Sequence, residues 1–160
     1  MKIKETYKTK EKIMNNSLTE EQVKVLNMSQ SVINEVRKVI IGKDEIIIKV
    51  LLSILAGGHI LIEDIPGVGK TTLAVALSKA LSLDYKRLQF TPDVLPTDVT
   101  GFTILNKETH KFEYKQGAAL TNLFLADEIN RTSSKTQSAL LEVMEEGKVT
   151  VDGITHKMPD

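Results

Sequence analysis

Apolar residues recur at helical spacing between residues 19 and 40, and the pattern predicts an amphipathic helix. Thr19 and Gln22 have the spacing of a capping box at its start. The apolar positions that follow are Val25, Met28, Val32, Val36 and Val39. We therefore expect a helix from Thr19 to about Ile40, with one face packed in a core.

The next apolar segment predicts a second helix, which is apolar on most sides. Asp44 is the expected N-cap of this helix, and the helix is predicted over Glu45 to Ala56. Gly57 and Gly58 follow directly and are expected to end it. Residues 1–16, in contrast, are rich in lysine and lack apolar periodicity, so they are predicted to be a disordered tail.

The middle of the chain alternates strand and helix patterns. The run Ile60 to Ile62 is short and wholly apolar, which favours a central parallel strand covered on both faces. A helix is predicted over Thr71 to Leu81 and a second strand over Asp84 to Phe90. The two prolines in residues 91–96 predict a loop there.

Two hairpins, a strand and a helix are predicted in the last third. The hairpin arms are Phe102 to Leu105 with Lys111 to Tyr114, and residues 149–151 with 154–156 around the turn pair Asp152-Gly153. Leu123 to Ala126 is predicted to be the strand that carries Asp127 and Glu128 at its end. A helix follows to about Glu146, with capping-box spacing between Ser134 and Gln137.

This order of elements predicts an α/β fold with a parallel sheet flanked by helices. In such sheets ligands bind at the carboxyl ends of the strands. Three core strands are visible, so the sheet is expected to be incomplete at its C-terminal end. We expect residues 17–160 to form part of one such core.

Charge and composition exclude several classes of protein. The chain of 160 residues carries 21 Lys and Arg against 21 Asp and Glu, which gives no electrostatic argument for binding nucleic acid or a membrane surface. It has no cysteine, which excludes disulfides. The N-terminus lacks the apolar stretch of a signal peptide, and the apolar run Ile46 to Ile62 is broken by Lys49 and two glycines. We therefore expect a cytoplasmic protein without membrane insertion.

The strongest chemical signal lies between the predicted strand at residue 60 and the predicted helix at residue 71. Small residues there bring backbone N–H groups close to an anion, and the helix directs its positive end at the same place. The segment is Pro66, Gly67, Val68, Gly69, Lys70, Thr71, Thr72. Lys70 is expected to contact the β- and γ-phosphates of a nucleotide, and the Thr71 hydroxyl is expected to bind Mg²⁺.

One position departs from the usual phosphate-loop pattern. Asp64 stands where that pattern has a glycine. An aspartate tolerates a tight turn because its carboxylate accepts bonds from nearby backbone N–H groups. Gly67 and Gly69 keep the positions nearest the expected phosphates, so the interpretation stands.

A second chemical signal is the pair of carboxylates that ends the apolar run at residue 123. Mg²⁺ prefers oxygen ligands, so Asp127 is expected to hold the metal directly or through water. Glu128 is expected to face the other side of the strand end and to orient or deprotonate the attacking water. Together with Lys70, these residues predict that the chain binds ATP and Mg²⁺ and hydrolyses ATP.

The chain resembles the MoxR family of AAA+ ATPases from about Leu18 to its end. The resemblance is carried by IIGK at residues 40–43, GHILIEDIPGVGKT at 58–71, QFTPD at 89–93, LADEINR at 125–131, KTQSALLE at 135–142 and VTVDG at 149–153. The LADEINR and KTQSALLE segments are more specific than the phosphate loop. Asp64 is ordinary in this family.

The resemblance implies a P-loop fold and an ATP-driven, chaperone-like remodelling factor that assembles as a hexamer. It also implies a partner with a von Willebrand A-type domain in many members. The segment of Ile40, Ile41 and Gly42 would line the adenine pocket. The family continues with a sensor strand, an arginine finger and a helical lid, so the sequence predicts a partial core without these parts.

Several alternatives stay open at this point. Without lid and arginine finger, a nucleotide-binding interaction module with little turnover is the second interpretation, and a small-molecule or nucleotide kinase that uses the same loop is the third. Arg131 is the only arginine expected near the carboxylates, in a salt bridge or an interface; Arg37 and Arg87 are expected elsewhere. Gln89 is a candidate hydrogen-bond partner of Glu128. Phe102, Phe112 and Tyr114 either grip a client or pack against the domain.

Overall fold

A computed structural model describes residues 18–63 and 69–159 of the chain. The chain divides into two compact units, with the boundary between Ile60 and Leu61, and each is described by itself. The predicted tail at residues 1–16 lies outside the described residues, and so do Pro66, Gly67 and Val68 of the predicted phosphate loop.

The first unit contains the two predicted helices, α1 over Glu20–Arg37 and α2 over Asp44–Leu55. The capping box at the start of α1 is confirmed, because Gln22 N donates to Thr19 Oγ1 and Thr19 N donates to Gln22 Oε1. The two helices pack through buried apolar side chains. These are Ile33, Val36, Ile47, Val50 and Leu51.

Two details of this unit differ from the prediction. Helix α1 ends at Arg37, three residues early, and residues 38 and 39 form a turn. Lys43, not Asp44, is the N-cap of α2, and no side chain caps that helix. Asp44 lies in the first helical turn, where Arg37 Nε donates to its Oδ1 at 2.9 Å. A carboxylate at this place is also favoured by the helix dipole.

The second unit is built around two parallel strands. Helix α3 spans Lys70–Leu81, strand β1 spans Tyr85–Gln89 and strand β4 spans Leu123–Asp127. β1 and β4 pair in parallel, with Tyr85 opposite Leu123 and Gln89 opposite Asp127. Helix α3 packs against β4 within this unit. The two strands and the helix were predicted from the sequence.

The predicted strand at Ile60 to Ile62 is wrong, because these residues adopt no regular structure. A parallel strand needs a neighbour whose backbone groups pair with its own. Among the described residues, β1 and β4 pair only with each other, and neither takes Ile60 to Ile62 as a partner. Leu61 is accordingly 76% exposed.

Between β1 and β4 the chain forms a short helix and a hairpin. Helix α4 spans Pro96–Thr100, strand β2 spans Gly101–Leu105 and strand β3 spans Phe112–Gln116. The antiparallel hairpin is as predicted. Helix α4 was not predicted, since Pro96 was expected to end a loop. Proline also begins a helix readily because its fixed φ suits the first turn.

After β4 come a 3₁₀ turn over Ile129–Arg131, helix α5 over Ser134–Glu146, and strands β5 over Lys148–Val151 and β6 over Ile154–Lys157. The predicted β5–β6 hairpin is confirmed, with Asp152 and Gly153 both at positive φ. The N-cap of α5 is Ser133, whose hydroxyl accepts from Thr136 N, and not Ser134. Gln137 instead donates to the carbonyls of Ile129 and Thr132.

The core of the second unit lies on one face of the β1–β4 pair. Its buried members are Phe90, Val99, Ala119, Leu120, Leu140, Val143 and Val149. Leu88, Phe124 and Ala126 pack against this cluster from the strands. Because side chains alternate along a strand, the opposite face carries Tyr85, Arg87 and Gln89 of β1 and Leu123, Leu125 and Asp127 of β4. We call the surface formed by the polar side chains of this face the polar face, and it bears the candidate site.

None of the helices in the described part of the chain is long and apolar enough to cross a membrane.

Candidate functional site

The described part of the phosphate loop begins with a glycine in the left-handed region. Gly69 has φ 89° and is the N-cap of α3. Leu73 N donates to Gly69 O at 2.9 Å, which closes the first helical turn. The helix starts at Lys70, one residue earlier than predicted. Lys70 and Thr71 are half-buried in this turn and Thr72 is exposed.

This geometry suits an anion. The first N–H groups of a helix have no partner within the helix, and they carry the positive end of its dipole. The residues that supply them are Lys70, Thr71 and Thr72, and two of these also offer a hydroxyl. The three residues that the sequence predicts to contact phosphate and Mg²⁺ therefore lie at the start of a helix.

Asp127 is the last residue of β4, so its carboxylate lies at the carboxyl end of the parallel pair. Its backbone carbonyl accepts from Phe90 N at 2.8 Å, which fixes the end of the strand beside β1. The carboxylate is mostly buried, with 23% of the side chain exposed. Helix α3 packs against this strand. The structure thus brings the strand that ends in Asp127 into contact with the helix that begins at Lys70.

The carboxylate of Asp127 is held by Arg87. Nη2 of Arg87 donates to Asp127 Oδ2 at 2.6 Å, and Nε donates to the same oxygen at 3.1 Å. The hydrogen bond that Arg87 donates to Asp127 raises the pKa of Arg87 above its ordinary value. The prediction that Arg87 lies away from the two carboxylates is therefore wrong.

Gln89 and Tyr85 complete the polar face around this pair. Gln89 Oε1 accepts from Arg87 Nη2 at 3.3 Å, so Gln89 pairs with Arg87 in place of the predicted Glu128. The Tyr85 hydroxyl is buried and has no hydrogen-bond partner among the described residues. Burial raises the pKa of Tyr85, the charge of Arg87 opposes this, and the charge of Asp127 adds to it.

Glu128 leaves the strand in a left-handed turn. Its φ is 56°, which is uncommon for a residue with a side chain and is concentrated at functional sites. Arg131 N donates to Glu128 O at 3.0 Å, and Arg131 Nη1 pairs with Glu128 Oε2 at 3.0 Å. The salt-bridge interpretation of Arg131 is therefore confirmed. Each of the two candidate carboxylates has its own arginine.

The remaining predicted residues fall in different places. Ile40, Ile41 and Gly42 belong to the first unit. There Ile40 is buried, Ile41 is 86% exposed and Gly42 has φ 76°. Their predicted role in an adenine pocket stays a prediction. Pro66, Gly67 and Val68 lie outside the described residues.

The aromatic residues of the β2–β3 hairpin were predicted either to grip a client or to pack against the domain, and the structure differs from one residue to the next. The Tyr114 hydroxyl donates to Thr100 O, and its ring stacks on His156 with centroids 3.7 Å apart. Tyr114 therefore packs within its unit. Phe112 is 78% exposed and Phe102 is 45% exposed, so these two remain available for contact with another molecule.

The donor chemistry of the site fits Mg²⁺ bound to a nucleotide. The Asp127 carboxylate and the Thr71 hydroxyl are oxygen ligands of the kind that Mg²⁺ prefers, and Mg²⁺ commonly uses few protein ligands beside phosphate and water. Lys70 adds a positive charge of the kind that phosphate requires. The guanidinium of Arg87 donates hydrogen bonds to one oxygen, Oδ2, of the Asp127 carboxylate.

Comparison with known proteins shows where this chain belongs. The family model of the "ATPase family associated with various cellular activities (AAA)" matches residues 59–160. YeaC of Bacillus subtilis, described as an uncharacterized protein, is 56% identical over 128 residues. Chaperone MoxR1 of Mycobacterium tuberculosis is 42% identical over 125 residues.

These matches cover 80% and 78% of the chain, but the chain spans only 40% and 33% of the two relatives. The crystal structure of a candidate ATPase from Cytophaga hutchinsonii superposes with a TM-score of 0.75 and 45% identity. That likeness covers 84% of this chain and 41% of the other. The chain belongs to the AAA family of ATPases and, by its relatives, to the MoxR group within it.

Proposed function

We propose that this chain binds ATP with Mg²⁺ at the start of α3 and hydrolyses it to ADP and phosphate. The observation that carries the proposal is the left-handed Gly69 at the start of a helix that packs on β4, the strand ending in Asp127. Family membership supports the same activity. Such a site combines an anion-binding helix end with a carboxylate for the metal.

Each residue has a distinct part in the proposed reaction. Lys70 and the N–H groups of the first turn of α3 bind and orient the phosphates. Thr71 and Asp127 would hold Mg²⁺, which neutralises charge on the phosphates when it is bound. Glu128 orients the attacking water and accepts its proton, after Arg131 has released the carboxylate. Phosphoryl transfer depends mostly on such positioning and charge neutralisation.

Within this proposal, hydrolysis drives chaperone-like remodelling of a protein client in the cytoplasm. The relative named as a chaperone supports this role. The resemblance to the MoxR family further suggests a hexameric assembly, a partner with a von Willebrand A-type domain, and an adenine pocket at Ile40, Ile41 and Gly42. We include these as parts of the proposal, together with Pro66, Gly67 and Val68 in the phosphate loop.

Substitution of Glu128 separates binding from hydrolysis. We expect Glu128→Gln to leave ATP affinity within about twofold of the original and to lower turnover at least about a hundredfold, because the base contributes to the transition state alone. The control is Glu142→Gln, which neutralises an exposed glutamate on α5. Equal turnover in the Glu128 and Glu142 variants would exclude Glu128 as the base.

A second function is a nucleotide-binding module with little turnover. It is favoured by the ion pairs that hold both Asp127 and Glu128. The two functions differ in how the hydrolysis rate per chain depends on protein concentration. A rate that climbs with concentration indicates that neighbouring chains complete each other's sites, which is what we expect of the ATPase. A background rate at every concentration, with ATP bound, identifies the binding module.

A further inference from the structure

Arg87 and Asp127 form the closest ion pair on the polar face of the β1–β4 sheet. Both bonds from the guanidinium end on Oδ2, at 2.6 Å and 3.1 Å. Asp127 is also the carboxylate to which the metal role is assigned. A guanidinium and a divalent cation at one carboxylate both draw on its negative charge, and their like charges repel each other.

Tyr85 offers Arg87 a second place to bind. Tyr85 and Arg87 are two residues apart on one strand, so their side chains are neighbours on the same face. The Tyr85 hydroxyl oxygen is buried, and no hydrogen-bond partner for it exists among the described residues. A buried hydroxyl without a partner is costly, so a donor that reaches it is favoured. Arg87 has five N–H donors in a rigid fork.

We propose that Arg87 is a movable guard of the Asp127 carboxylate: it holds Asp127 while no Mg²⁺ is bound, and it turns to the Tyr85 hydroxyl when Mg²⁺ binds with the nucleotide. This inference rests on the proposed function of the site. Arg87 acts through Asp127 and is a positioning residue. Gln89, which accepts from Nη2, keeps the guanidinium on this face in the first position.

The guard has a measurable consequence for the Mg²⁺ requirement of nucleotide binding. Arg87→Met removes the competing charge, so the Mg²⁺ concentration that half-saturates ATP binding should fall about three- to tenfold. ATP affinity in EDTA should change less than about twofold, since no metal is then recruited to Asp127. Arg87→Lys keeps the charge without the fork and should lie between the original and Arg87→Met.

Tyr85→Phe removes the second position and should act in the opposite direction. Arg87 then lacks a partner to turn to, so the half-saturating Mg²⁺ concentration should rise about two- to fivefold, as expected for one lost hydrogen bond. The double variant Tyr85→Phe/Arg87→Met should match Arg87→Met alone, because the tyrosine acts only through the arginine.

The experiment is a Mg²⁺ titration of a fluorescent ATP analogue bound to the chain, with circular dichroism to verify folding. The control is Arg37→Met, which removes an arginine that is equally exposed, at 40%, and paired with a carboxylate at 2.9 Å in the other unit. Its Mg²⁺ requirement should not change. If both Arg87 variants bind ATP but need as much Mg²⁺ as the original chain or more, Arg87 is not a guard of Asp127. Failure of the original chain to bind the analogue would instead overturn the proposed function, and the guard with it.

Discussion

Gly69 is the residue whose backbone most directly shapes the proposed site. Its φ of 89° is one that residues with a Cβ rarely adopt, and a Cβ built on it meets no atom of the described residues within 4 Å. Substitution therefore strains the backbone without a clash against that part of the chain. We expect Gly69→Ala to lower the free energy of unfolding by about 1–2 kcal/mol and to weaken ATP binding.

The matched control for this prediction is Gly153→Ala. Gly153 has φ 77°, and a Cβ built on it also meets nothing within 4 Å among the described residues, but it lies in the β5–β6 turn. Both variants should lose similar stability in urea unfolding, while only Gly69→Ala should lose ATP affinity. Equal ATP affinity in the two variants would show that the start of α3 does not bind the nucleotide.

At the scale of single residues, the sequence identified the types of side chain better than their partners. Lys70, Thr71 and Asp127 could be placed because their spacing from apolar runs puts them at a helix start and a strand end. The bond from Arg87 to Asp127 could not be predicted, because it depends on the parallel register that sets Gln89 opposite Asp127. Residues 40 positions apart give no local signal of such a pairing.

At the scale of secondary structure, local signals succeeded where the neighbours of an element lie close in sequence. The capping box at Thr19 and the Asp152-Gly153 turn fixed a helix start and a hairpin. Ile60 to Ile62 was predicted as a strand from its apolar side chains alone. A strand also needs paired backbone groups, and side-chain hydrophobicity does not reveal whether a partner strand is adjacent.

Tyr114 links three of these elements and gives a prediction that depends on pH. Its hydroxyl donates to Thr100 O at the end of α4, and its ring stacks on His156 of β6. Tyr114→Phe keeps the stacking and removes the hydrogen bond. We expect this variant to lose about 0.5–1.5 kcal/mol of unfolding free energy at neutral pH. Urea unfolding of both proteins measures the difference.

The sign of the pH effect follows from the pKa of Tyr114. Burial of the hydroxyl raises this pKa in the folded chain, and a bond from the backbone of Gly117 opposes the change in part. The stabilisation is therefore fully present below the unfolded pKa and is lost as pH rises through the folded pKa. The difference between the original chain and Tyr114→Phe should shrink in that alkaline range. A difference that is constant with pH would contradict this assignment.

At the scale of the whole molecule, the proposed chemistry lies in the second unit. The family model begins at residue 59, close to the boundary between Ile60 and Leu61. The candidate site residues Lys70, Asp127 and Glu128 all follow this boundary. So do the two arginines that pair with the carboxylates. The first unit supplies the predicted adenine segment, whose role stays a prediction. We therefore propose that the second unit binds the phosphates of ATP through Lys70.

The most direct measurement is the equilibrium affinity of ATP in the presence of Mg²⁺ for the original chain, Lys70→Ala and Lys79→Ala. Lys79 lies on the same helix, in its last turn and exposed, so it controls for the loss of a positive charge on α3. We expect Lys70→Ala to weaken ATP binding at least about tenfold, since a charge-assisted bond to phosphate contributes about 1.5–3 kcal/mol, and Lys79→Ala to bind as the original does. Equal affinity in the two variants, or no binding of ATP by the original chain, would contradict the assignment of this site.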